Sequence, residues 1–271
     1  MKNLKLAICQ MRVSDDKNTN LAVAADMIQK SSDLGAEMVV LPEVFNSPYR
    51  ASLFPAYAET WPGPSTAFLS RSAARHGLNL VGGSIIERDN NNLYNTCFIF
   101  GPTGDLLGRH RKMHLFDVDI TDGISFRESD TLSPGEEVTV IKTDALCFGV
   151  MICFDIRFPE LARRCVLDGA QFLVVPAAFN TVTGPAHWEI LMRARAADNQ
   201  CYVIAASPAR NPDSSYQAWG HSLVVDPWGR IIAEAGIDEE IIIADINLDL
   251  VSQVRSELPL LRQRRPELYN L

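Results

Sequence analysis

The residue in this 271-residue chain best placed to act as a nucleophile is Cys153, in the stretch Cys147 to Glu160, C-F-G-V-M-I-C-F-D-I-R-F-P-E. Cys147 to Ile152 is an apolar run of strand length, so it is expected to be extended and buried. Arg157-Phe158-Pro159-Glu160 opens a helical pattern, with proline suited to the first turn and glutamate to its positive end. Cys153 therefore sits where strand becomes helix. There the backbone N–H groups of the next turn would favour a thiolate and hold an oxyanion. A competing reading makes Cys153 one more small apolar core residue.

A thiol nucleophile needs a base. His110, His114, His187 and His221 lie at turns or strand ends, so a Cys–His pair is open. A carboxylate is the alternative. Glu43 follows Pro42 at the end of an apolar strand, a common site position at the carboxyl edge of α/β sheets. Burial there would raise its pKa and make it a proton acceptor. In Arg109-His110-Arg111-Lys112 one cation could point inward, although a solvated basic edge is the simpler expectation. Glu189 and Arg193, four apart, read as a helix-surface ion pair. His187-Trp188 at a helix start could flank a pocket or simply pack.

Other chemistry finds little footing. Gly82-Gly83 and the glycines of 101–108 form no dinucleotide or phosphate-binding loop, so no cofactor is expected. The six cysteines (9, 97, 147, 153, 165, 201) include no CxxC pair and the five histidines no HExxH, so no metal is expected. Cys147 and Cys153, if on one strand, stand about 20 Å apart, beyond disulfide reach. A net charge of −8 argues against nucleic acid as a partner. Met1 to Lys5 enters a strand pattern without a signal-peptide core, and no apolar run has membrane length. A cytoplasmic protein with no membrane partner is expected.

The elements that must position these groups follow the chain. Leu4 to Met11 alternates as a strand, Asn18 to Leu34 has helical spacing, and Ala36 to Leu41 is a buried strand. Ser65 to His76 is a helix. Leu78 to Glu87 and Tyr94 to Phe100 read as a hairpin, followed by Leu106 to Lys112. From His114 to Gly135 periodicity disappears, and long irregular loops inside a domain are often functional. Then come strand Thr139 to Ile141, the Cys153 strand, helix Pro159 to Asp168, strand Ala170 to Val175 and helix Pro185 to Asn199. Strands at 202–207, 221–225, 230–233 and 241–245 precede a last helix, Leu248 to Glu257. Gly35-Ala36-Glu37-Met38-Val39-Val40-Leu41-Pro42 echoes Gly169-Ala170-Gln171-Phe172-Leu173-Val174-Val175-Pro176. Both segments close a β-α-β unit, so two similar halves are expected within one domain spanning 1–271.

Leu41-Pro42-Glu43, Arg111-Lys112-Met113-His114-Leu115 and Cys153-Phe154-Asp155-Ile156-Arg157-Phe158-Pro159-Glu160 together resemble the glutamate, lysine and cysteine motifs of the nitrilase superfamily of carbon–nitrogen hydrolases, in its order and spacing. The resemblance covers nearly the whole chain. It implies a four-layer α-β-β-α sandwich, and a homodimer paired through helices near the cysteine, with the tail from about 258 at the interface. It also implies catalytic roles for Glu43, Lys112 and Cys153. Phe126-Arg127-Glu128-Ser129, Phe179 to Glu189 and Ala205 to Arg210 resemble the family's omega-amidase branch. That likeness implies a small-molecule amide substrate carrying a carboxylate, of the alpha-ketoglutaramate or succinamate type. By the same likeness Glu128 supports the lysine, while Tyr49, Phe154, Arg157, Phe179 and Thr183 line the pocket and hold the substrate. Phe154 stands where tyrosine is commoner. A nitrile, an N-carbamoyl amine or a deaminated-glutathione-like amide is the alternative substrate, and a thiol-redox or interaction protein the alternative class.

Overall fold

The computed structural model describes residues 3–121 and 123–269. Met1 and Lys2 of the N-terminal reading, Asp122 of the middle loop, and Asn270 and Leu271 of the tail lie outside the described residues. Six strands come first: β1 (Asn3–Gln10), β2 (Met38–Val40), β3 (Asn79–Val81), β4 (Ile85–Asp89), β5 (Asn92–Phe100) and β6 (Leu106–Arg111). A small hairpin of β7 (Asp117–Asp119) and β8 (Ser125–Arg127) separates them from β9 (Thr139–Lys142), β10 (Cys147–Val150) and β11 (Phe172–Pro176). Next are β12 (Tyr202–Ala206), β13 (Leu223–Val225), β14 (Ile231–Glu234) and β15 (Glu240–Asn247). The helices are α1 (Lys17–Asp33), α2 (Phe54–Tyr57), α3 (Pro64–His76), α4 (Pro159–Leu167), α5 (Gly184–Asn199) and α6 (Leu248–Glu257).

Two sheets result. One has the order β15-β1-β2-β3-β5-β4, with β6 also on β5, and the other runs β14-β13-β12-β11-β10-β9. The period-2 alternation of strands explains how they stack. On β1, Leu4, Leu6 and Ile8 enter a core shared with Phe148, Val150 and Val174 of the second sheet. Ala7 and Cys9 face the other way, onto Ala24 and Ile28 of α1 and Leu69 of α3. Helices α4 and α5 cover the outside of the second sheet through Leu161, Cys165, Trp188 and Met192. The layers are thus α-β-β-α. The sequence echo is visible as two parallel pairs, β1 with β2 and β10 with β11. In each a positive-φ glycine, Gly35 or Gly169, ends the crossover helix.

Two expectations need correction. Leu78 to Glu87 is not one strand but β3 and β4, broken at Gly82-Gly83-Ser84. Gly83 adopts φ +59°, and a Cβ there would stand 2.1 Å from the Pro42 carbonyl oxygen. The break lets the end of β2 pass close by. The 114–135 segment, expected to be irregular, holds the β7–β8 hairpin and a 3-10 turn at Glu128–Asp130. No helix among the described residues is long and apolar enough to cross a membrane.

Candidate active site

Each reactive group stands just beyond the end of a strand. Glu43 follows β2, where the Ser84 hydroxyl accepts the Val44 N–H at 2.9 Å and Val44 adopts φ +49°. Lys112 follows β6, whose alternation sorts the basic run. Arg109 and Arg111 turn outward to Glu87, at 2.6 and 2.8 Å, while His110 and Lys112 are buried. Two of the four residues therefore point inward, and the solvated-edge reading fits only the other two. Cys153 follows β10 at φ +48°, a left-handed conformation unusual for a residue with a Cβ. Such strain persists where the surroundings over-determine it.

The surroundings do so here through Asp155, a buried carboxylate. Its Oδ2 accepts from the Ile152 N–H at 2.9 Å and lies 3.0 Å from His110 Nε2. Its Oδ1 accepts from the His114 N–H at 2.9 Å and lies 2.8 Å from His114 Nδ1. Asp155 thus grips the residues two before and two after Lys112, and the turn holding Cys153. Burial alone would raise its pKa, but the bonds from His110 and His114 outweigh that and hold it far below the usual carboxylate range.

Lys112 Nζ lies 2.9 Å from Glu43 Oε1 and 2.8 Å from Glu128 Oε2, and all three side chains are fully buried. Asn95 Nδ2 donates to Glu43 Oε1 at 2.8 Å, and the Tyr49 hydroxyl donates to Glu128 Oε1 at 2.7 Å. The Phe116 N–H donates to Glu128 Oε2 at 2.7 Å. Burial would lower the Lys112 pKa, yet Glu128 and Glu43 outweigh it and hold the ammonium well above its ordinary range. Burial raises the pKa of Glu43, against the pull of Lys112 and with help from Glu128. This matches the sequence expectation for Glu43. Burial and the Glu43 charge push the Cys153 thiol well up, despite Lys112 and the backbone amide of Ala178. The expectation that the helix end would favour a resting thiolate is therefore overturned. A protonated thiol beside a carboxylate of raised proton affinity is poised for transfer between the two.

The histidine alternative loses its geometry. His110 and His114 serve Asp155, His187 Nδ1 faces Arg157 Nη1 at 3.0 Å, and His221 Nδ1 is 3.5 Å from Glu234. The space beside the Cys153 thiol is lined by Phe154, Arg157, Phe179 and Thr183, together with Phe116, Asn180 and Tyr216. Tyr49 stands instead behind Glu43 and Glu128, in contact with the Tyr216 ring at 4.6 Å between centroids. Arg157 pairs with no carboxylate among the described residues; it lies over the Phe179 ring at 4.8 Å, and burial lowers its pKa. Glu189 and Arg193 form the expected surface pair at 2.9 Å. Trp188 is buried, donating to the His221 carbonyl. Sequence reasoning passed over Asn95, Asp155 and Tyr216. Asp155 alone carried a signal, as an acid inside an apolar turn. No group of three or more His, Cys, Asp or Glu that could hold a metal is found among the described residues.

The profile of the carbon-nitrogen hydrolase family matches residues 5–256. The chain is 52% identical over 271 residues to omega-amidase NIT2 of Xenopus tropicalis, covering all of this chain and 98% of that protein. It is 49% identical over 269 residues to omega-amidase NIT2 of Homo sapiens, covering 99% of this chain and 98% of the relative. The solved structure of Saccharomyces cerevisiae Nit3, from branch 10 of the nitrilase superfamily, superposes with a TM-score of 0.90 at 46% identity, covering 97% of both chains.

Proposed function

The chain belongs to the carbon–nitrogen hydrolase family, within the nitrilase superfamily, and from that premise we propose that it is a cysteine-dependent omega-amidase. Its substrate is a small amide bearing a distal carboxylate, of the alpha-ketoglutaramate or succinamate type. One observation supports this most: the buried Glu43–Lys112–Glu128 cluster lies against Cys153, next to a pocket lined by Arg157, which pairs with no carboxylate among the described residues.

Glu43 takes the thiol proton as Cys153 Sγ bonds to the amide carbon. The Lys112 ammonium and the Phe154 N–H hold the oxyanion, donors worth several kcal/mol in a dry site. Glu43 then hands its proton to the leaving nitrogen, ammonia departs, and a thioester remains. Water, deprotonated by Glu43, cleaves the thioester and restores the thiol. Glu128 and Tyr49 hold Lys112 and keep its proton in place throughout.

Arg157 confers the preference for a carboxylate, because its planar fork can grip one with two bonds. Arg157 Nη1 lies 3.0 Å from His187 Nδ1, and the substrate carboxylate takes the place of His187 as its partner. Arg157→Lys is expected to raise KM for succinamate about tenfold and to leave neutral short amides within about twofold, since one bidentate charge-assisted contact is lost. Steady-state ammonia release on both substrate classes checks this. Equal losses on both would assign Arg157 to structure.

The same reading includes a cytoplasmic homodimer, paired through α5 and the tail from about 258. Exposed Ile190 on α5, with Leu258, Leu260 and Trp228 along one groove, supports that face.

A further inference from the structure

Cys153 and the groups that serve it stand on different sheets. Glu43 follows β2 and Lys112 follows β6, both of the first sheet, whereas Cys153 follows β10 of the second. The sheets meet through apolar side chains, Leu6 and Ile8 with Phe148 and Val150 among them. Burial of that kind is non-directional. Catalysis is less tolerant, because a misplacement of about 1 Å is enough to cost 10²-fold in rate. Directional bonds between the sheets at this edge therefore bear on the chemistry.

We propose that Asp155, acting with His110 and His114, is a positioning residue of the reaction: it ties the two sheets together at the site and sets Cys153 against Glu43 and Lys112. The proposal rests on the amidase reading above. On its own sheet Asp155 holds the turn, its Oδ2 accepting from the Ile152 N–H at 2.9 Å, one residue before Cys153. Towards the first sheet it lies 3.0 Å from His110 Nε2, and 2.9 and 2.8 Å from the His114 N–H and Nδ1. These contacts bracket Lys112 in the chain. The other ring nitrogen of His110, Nδ1, is 3.0 Å from the hydroxyl of Thr139 on β9, which pairs with β10. A ring carried by the first sheet is thus gripped at both nitrogens by the second. The contacts fill the acceptor sites of a carboxylate, and an amide cannot replace it. Whichever way an asparagine is turned, its NH2 meets a backbone N–H, that of Ile152 or that of His114. The far end of the same turn is held separately. Arg195 of α5 donates to the Ile156 and Arg157 carbonyls at 2.9 and 3.0 Å, so loss of Asp155 leaves Arg157 anchored.

Asp155→Asn and His110→Phe, each in the full-length protein, test the tie. His110→Phe removes both ring bonds at similar volume, and it carries the test if Asp155→Asn does not fold. For each, kcat for succinamate is expected to fall about 10²-fold, the loss typical of a 1 Å misplacement. KM is expected to stay within about twofold of wild type, because Arg157 keeps its anchor. Alkylation of Cys153 by iodoacetamide gives a readout that needs no turnover. In wild type Glu43 takes the thiol proton, so the alkylation rate should be nearly level between about pH 6 and pH 8. In the variants the thiol reacts alone, and its rate should climb about tenfold per pH unit, as the thiolate fraction does below the thiol pKa. A merely structural role for Asp155 would lower the melting temperature and leave that profile level. A level profile in the folded variants, or a wild-type profile as steep as theirs, overturns the proposal. So does a loss of kcat/KM that lies wholly in KM. A wild type that releases ammonia from no amide sinks the amidase reading, and the alkylation profiles then decide the role of Asp155 by themselves.

Discussion

Lys112→Met is expected to lower kcat for amides by about 10² to 10³ and to destabilise the fold at the same time. The side chains have similar length, so packing is largely kept and the change isolates the charge. The ammonium lies between Glu43 and Glu128, at 2.9 and 2.8 Å, with all three fully buried. Removing it leaves two carboxylates facing each other without a counter-charge. Breaking a buried pair in this way costs about 3–5 kcal/mol, well above the effect of an exposed pair. Urea denaturation at neutral pH is the check, and the loss should shrink in acid as the carboxylates protonate. On the chemical side the oxyanion loses its charged donor, for which about 10² to 10³ in kcat is typical. Unchanged stability would mean that the lysine is not the counter-charge the geometry makes it.

Glu43→Gln should have an equally large kinetic effect and the opposite effect on stability. Glutamine keeps the shape and an oxygen for the Asn95 donor, but it cannot carry the proton. A fall of about 10³ in kcat is expected, within the range for losing a positioned general base. The pKa of Glu43 is raised from its ordinary 4.5, chiefly by burial, so the folded site disfavours the ionised form. The sign follows from linkage. That cost is absent below the ordinary value, grows as pH rises through the raised one, and is fully present above it. At neutral pH, Glu43→Gln should therefore match or exceed the melting temperature of wild type. The same shift places the acid limb of kcat/KM above the ordinary glutamate range, and the residual activity of the variant should lack that limb. A limb near the ordinary value would mean that Glu43 is not the base.

Much of the layout was legible in the residues. The run Cys147 to Ile152 with Pro159 after it announced a strand ending at Cys153, and β10 and α4 follow that grammar. The paired Gly-Ala echoes announced two parallel β-α-β units, because a positive-φ glycine before an apolar strand is a local signal. Lys112 was ambiguous among four basic residues until β6 supplied the alternation that turns it inward. The break at Gly82-Gly83 was missed because its cause is the Pro42 carbonyl, about forty residues away in sequence. Asp155 was passed over for the same kind of reason. Its partners, His110 and His114, come from another strand end, and only tertiary structure brings them together. Propensity reads neighbours along the chain, and these residues are set by neighbours in space.

Ammonia release from succinamate and from butanamide, measured for wild type and Cys153→Ala side by side, tests cysteine-dependent amide hydrolysis and its preference for a carboxylate together. The substitution removes only a sulfur from a packed site, so the variant should fold. Wild type should release ammonia rapidly from succinamate and much more slowly from butanamide, and the variant from neither. Ammonia released from succinamate by Cys153→Ala at a rate near wild type would mean that Cys153 is not the nucleophile.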